Sequence, residues 1–72
     1  EAFRADLRAD VAAGIAEGTV RPDASPEEVA VAVVGQLRGI GLQRLLEPSA
    51  VDTERLRRTV AEHWRRALGV PA

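Results

Sequence analysis

The stretch from Pro26 to Leu46 constrains the chain more than any other, because it reads as one long helix that is apolar on two sides. Placed at about 100° per residue, Val29, Ala30, Val33, Val34, Leu37, Ile40, Gly41 and Leu45 gather on one face. Val31, Ala32, Gly35, Gly39, Leu42 and Leu46 gather on a second, nearly opposite face. Arg38 divides the two on one side, and Gln36 with Gln43 on the other. A surface helix carries one apolar stripe, whereas a helix apolar all round is buried. Three short helices cannot cover both faces of the middle one. One face is therefore expected to pack within the chain, and the other to need a second subunit or chain preceding Glu1. Gly35 and Gly39 on that second face each cost about 1 kcal/mol of helix propensity relative to Ala. Close approach of another helix is the compensation expected there.

The rest of the chain is punctuated as helices too, and the punctuation predicts an all-α fold with helices over about 2–17, 26–46 and 52–68. Phe3, Leu7, Val11 and Ile15 recur every four residues, with Gly14 on the same face, and Gly18 stands where a left-handed cap residue ends a helix. Pro22 and Asp23 suit a loop. Ser25, Pro26 and Glu28 form the start signal of the long helix, with Ser25 as N-cap and Pro26 in the first turn. Pro48 stops that helix and pushes Glu47 out of helical geometry. Asp52 caps the third helix, on which Leu56, Val60, Trp64 and Ala67 share a face with Leu68 at its edge. Glu54–Arg58 and Glu62–Arg66 have ion-pair spacing on the opposite side. Gly69 and Pro71 end it.

At 72 residues the chain is one domain at most. A domain this small is marginal unless disulfides, metals or oligomerisation support it. There is no Cys and only one His, which excludes the first remedy and the usual metal sites. Oligomerisation, or packing on further chain, is what is left. The chain has no Met and opens in helical pattern at Glu1-Ala2-Phe3-Arg4, so a fragment of a longer protein is expected. A net charge of −1 argues against a nucleic-acid surface, which usually carries a basic excess. No apolar run is read as approaching the roughly 18 residues of a membrane span, and no membrane partner is expected.

No constellation of nucleophile, base and orienting group is present, so no enzyme activity and no cofactor are expected. Asp6 and Asp10 read as a solvated acidic edge, His63 as a residue at a helix seam, and Ser25 and Ser49 as cap and turn residues. Phe3 and Trp64, the large anchors in a chain with 3% aromatics, read first as core. Arg38 lies between two apolar faces and could pair with an acid such as Asp10, pair across a dimer, or reach an anionic ligand. Arg55, Arg57, Arg58, Arg65 and Arg66 cluster on the third helix, but Glu54 and Glu62 interrupt them, as on an ordinary solvated face. A small three-helix DNA-binding or protein-interaction module is the alternative reading. A helix-turn-helix wants a turn of about 3–4 residues and a basic recognition helix, and this chain has neither.

The order of features resembles the C-terminal part of TetR-family transcriptional regulators. The residues that carry it run from Ala13-Gly14-Ile15-Ala16-Glu17-Gly18-Thr19-Val20-Arg21-Pro22-Asp23 into Ser25-Pro26-Glu27-Glu28-Val29-Ala30. They continue through Leu37-Arg38-Gly39-Ile40-Gly41-Leu42-Gln43, the Pro48 stop, and Trp64-Arg65-Arg66-Ala67-Leu68-Gly69. The resemblance implies a ligand-binding and dimerisation domain of a cytoplasmic regulator, a repressor by expectation, whose last two helices pair with a second copy as a four-helix bundle. It implies DNA contact only through an N-terminal helix-turn-helix domain that has no counterpart in these 72 residues. Gly35, Gly39, Leu42, Leu46, Leu56, Val60 and Trp64 are the expected dimer interface. Phe3, Leu7, Leu37 and Arg38 are the expected contributors to a pocket for a small-molecule effector.

Overall fold

A computed structural model describes residues 2–71. Three helices follow in order: α1 over Ala2–Glu17, α2 over Pro26–Leu46 and α3 over Thr53–Ala67, with a single 3-10 turn at Pro48–Ala50 between the last two. The fold is all-α, and no strand occurs among the described residues. α3 is one residue shorter at each end than the pattern predicts, because Asp52 and Leu68 are its caps and not part of it.

The caps form as the sequence chemistry requires. Ser25 Oγ accepts from the Glu28 amide at 3.3 Å, and Asp52 Oδ1 accepts from the Arg55 amide at 3.1 Å. Each satisfies one of the donors left over at a helix N-terminus. α1 ends on Gly18 at φ 83° and α3 on Gly69 at φ 74°. In α1 the Thr19 amide reaches back to the Gly14 carbonyl at 2.9 Å and the Gly18 amide to Ile15 at 3.2 Å. In α3 the Val70 amide reaches Arg65 at 3.0 Å and the Gly69 amide reaches Arg66 at 3.2 Å. The two termini therefore use the same left-handed glycine cap.

Packing is thin. The buried apolar side chains are Val11, Val20, Ala30 and Val34. They join α1, the loop after it and α2. Gly14 is buried beside them because Val20 folds back over it: a Cβ on Gly14 would stand 2.5 Å from Val20 Cγ2. Phe3, expected as an anchor, is 47% exposed. No Cα of α3 lies within 8 Å of one in α1 or α2. The molecule measures 40 × 28 × 15 Å with a radius of gyration of 13.4 Å, against about 11 Å for a compact domain of this length.

By length and composition α2 could cross a membrane: it has 21 residues, with an 18-residue window of mean hydropathy 1.3. The sequence conceals this because Gln36, Arg38 and three glycines break the apolar run. Ala30 and Val34 pack against protein, however, and a long apolar helix inside a helical domain has the same composition.

The Gly14–Val20 contact yields a test. Gly14→Ala gains about 1 kcal/mol of helix propensity but overpacks a β-branched neighbour, which costs about 1–3 kcal/mol. A net loss of about 1 kcal/mol is expected in urea denaturation. In a Val20→Ala background the same change should turn stabilising, because the obstructing methyl is gone. Loss of equal size in both backgrounds would show that the contact is not what fixes glycine there.

Candidate functional site

Between the three helices lies an apolar cleft of about 450 Å³. α1 supplies Leu7 and Val11, and α2 supplies Val29, Val33, Leu37 and Ile40. From α3 come Leu56, Val60, Ala61 and Trp64, with Leu68 just past its end. Thr53 and Arg57, on the first turns of α3, are the polar residues of the lining. The size and character are those of ligand sites, which run to about 300–1,000 Å³ with mostly apolar walls and few polar groups.

Polar links from α2 and from the α1–α2 loop hold α3 across the cleft. Trp64 Nε1 donates to Gln36 Oε1 at 2.7 Å, connecting α3 to the middle of α2. This bond satisfies the polar edge of a half-buried indole. At the far end the α1–α2 loop grips the C-terminus of α3. The Arg21 amide donates to the Leu68 carbonyl at 2.8 Å, and its guanidinium donates to the Ala67 carbonyl at 3.4 Å. Asp23 orients that guanidinium through two hydrogen bonds, at 2.7 Å to Nε and 3.1 Å to the terminal nitrogen. Hydrogen bonding from Arg21 holds the Asp23 carboxyl below its usual range, and the same pair raises Arg21. Arg21 and Gln36 were not among the expected site residues. Their partners lie far along the chain, so only the fold exposes their roles.

The expected site residues divide among three places. Leu7 and Leu37 line the cleft, together with Leu56, Val60 and Trp64. Gly35, Gly39, Leu42 and Leu46 lie exposed on the other side of α2, with Leu46 at 74% exposure. A Cβ built on Gly35 or Gly39 would meet nothing within 4 Å. Phe3 and Arg38 are exposed and stand outside the cleft lining.

The outer face of α3 carries a wider depression lined by Arg58, Thr59, Glu62, His63, Arg66 and Ala67. Every one of these belongs to a single helix, which cannot enclose a ligand. Ala67 thus lies on the outer side and Leu68 on the cleft side, the reverse of the expected order. Glu62 bonds both Arg65 and Arg66, and hydrogen bonding from Arg65 is the main cause that holds its carboxyl below the usual range. Glu54 pairs with Arg57 at 2.6 Å rather than with Arg58. His63 is exposed, edge-on to Trp64 at 5.8 Å between ring centres. No cluster of three or more metal-ligating side chains occurs among the described residues.

The described residues thus form an all-α domain of three helices around an apolar cleft. Residues 1–69 match the family of BetI-type transcriptional repressor C-terminal domains, and the chain belongs to that family. It is a family of transcriptional regulators. No curated protein and no solved structure matches the chain.

The Arg21 clamp predicts an acid sensitivity. Asp23 and Glu62 are both lowered in the folded state. Whatever stability they contribute is present above their unfolded values and is lost as pH falls through the folded ones. The thermal midpoint, followed by circular dichroism, should stay level from neutrality to about pH 5 and fall below about pH 4. Asp23→Asn should shrink that fall. An unchanged acid limb in the variant would remove Asp23 from the account.

Proposed function

We propose that this chain is the effector-binding and homodimerisation part of a TetR-like transcriptional repressor of the cytoplasm. It passes the binding of a small molecule to a DNA-reading domain elsewhere in the protein and touches DNA only through that domain. The observation that carries this reading is the bare second face of α2. Val31, Leu42 and Leu46 are all more than half exposed there, and Gly35 and Gly39 lie between them with nothing near.

Burying a Leu-sized side chain contributes about 1.5–3 kcal/mol, so a face of this kind favours a partner. The accessible surface is 5312 Å², about 1,000 Å² more than a compact monomer of this mass exposes. A standard interface removes about 800 Å² per partner. A second copy of α2, brought close at the glycines, matches the excess and accounts for residues that the protomer itself does not require. The apolar cleft on the other side of the same helix is the proposed effector site, with Leu7, Leu37, Leu56, Val60 and Trp64 in its wall. Membership of a regulator family supports the soluble reading of α2 over a membrane-spanning one.

Light scattering on a sizing column over a range of concentrations tests the seam. A mass near twice 7.7 kDa, lost in Gly39→Leu and Leu42→Glu, is the expected result. Gly35→Ala and Gly39→Ala sharpen it. On a free helix face each would stabilise the monomer by about 0.5–1 kcal/mol, whereas at a seam each should weaken the dimer. A folded monomer at high concentration, made more stable by both alanines, would sink the proposal.

A further inference from the structure

Resting on the effector reading of the cleft, we propose that its ligand is an amphipathic anion: an apolar chain or ring body ending in a carboxylate or a similar acid. The walls say what the body must be. From Leu7 and Leu37 across to Leu56 and Val60 the lining is hydrocarbon, with Trp64 as its one aromatic ring. A sugar, nucleotide or zwitterion would leave most of its hydrogen bonds unmade in such a site, at a cost that excludes it.

The polar lining says what the head must be. Thr53 and Arg57 stand within two helical turns of the start of α3, at the opposite end of that helix from the Arg21 clamp. No carboxylate contributes to the lining. A cationic ligand would meet Arg57, whose partner Glu54 stands outside the lining, and one indole does not make the aromatic cage that quaternary ammonium groups use. An acid head placed beside Arg57 and Thr53 would gain a charged donor and a hydroxyl donor, while its body stayed among the valines and leucines. Asp52 already takes the Arg55 amide at the helix start, so the guanidinium is the group left to select the charge. Arg57 is paired with Glu54, and both are well exposed, so the selectivity should be modest.

The test uses three probes with the same ten-carbon chain and different heads: decanoate, decanol and decyltrimethylammonium. Emission from Trp64, the one tryptophan of the chain, reports entry into the cleft, and calorimetry gives the affinities. Decanoate should bind tightest, about five-fold better than decanol, in keeping with an exposed ion pair. Arg57→Gln should erase that difference and leave decanol unchanged. Val33→Phe, which fills the cleft, should abolish binding of both. Circular dichroism checks that each variant is folded. Equal binding of decanoate and decanol, both lost in Val33→Phe, would overturn the charge assignment and leave the effector cleft standing. Tightest binding of the trimethylammonium probe would overturn the assignment as well. Failure of all three probes to bind, or binding that survives Val33→Phe, would remove the effector reading of the cleft together with it.

Discussion

The hydrogen bond from the Arg21 amide to the Leu68 carbonyl holds the architecture together, because it is where the first half of the chain takes hold of the last. α3 makes no close backbone approach to α1 or α2. Its position follows from this clamp, from the Trp64–Gln36 bond and from side chains reaching across the cleft. The clamp depends in turn on the loop being folded back, which requires Gly18 in a left-handed conformation and Gly14 small enough to lie under Val20. The Gly14 carbonyl anchors the turn by accepting from the amides of Thr19 and Val20 and from the Thr19 hydroxyl. A few residues of loop thus close one helix, cap another and set the width of the cleft between them.

How much of this the sequence discloses depends on the range of each interaction. Helix ends are fixed by neighbours three to five residues apart, so Ser25, Asp52, Gly18 and Gly69 mark them openly. The two-sidedness of α2 is likewise a local periodicity, and it separates the buried Ala30 and Val34 from the exposed Val31 and Leu42. Periodicity shows that Leu56, Val60 and Trp64 share a face, but not what that face looks onto. Ala67 and Leu68 change places because four-residue spacing drifts around a helix of 3.6 residues per turn. The Arg21 clamp joins residues more than forty positions apart, and no local pattern announces it. Phe3 reads as core by type, yet it lies one turn beyond the part of α1 that has something to pack on.

The thinness of the core has a physical explanation in the two apolar faces of α2. Four small buried side chains cannot balance the conformational entropy of some seventy ordered residues. The apolar side chains that would ordinarily finish a core are present but are spent in two directions, half toward the cleft and half toward the exposed face. Leu45 and Leu46, 77% and 74% exposed, are the extreme case. A helix divided in this way stabilises a protomer less than a single-sided one would, and it makes the stability of the fold depend on what covers its surfaces.

That division also indicates how binding on one side could be felt on the other. In the proposed reading, the cleft and the dimer seam lie back to back across the width of one helix, about 10 Å. A ligand that wedges the cleft pushes α2 and α3 apart, and the clamp and the Gln36 bond resist it together with the side chains that meet across the cleft. Close helix packing at glycines has little slack, because interiors packed to native density do not deform smoothly. A displacement of α2 must therefore either be refused, which excludes the ligand, or be passed to the second copy as a change in how the two subunits sit. The ligand then shifts the equilibrium between two arrangements by the difference in its affinity for them, and no more. The polar bond between Trp64 and Gln36 is the element most exposed to that competition. It spans the cleft, and a body inserted between α2 and α3 would have to stretch it.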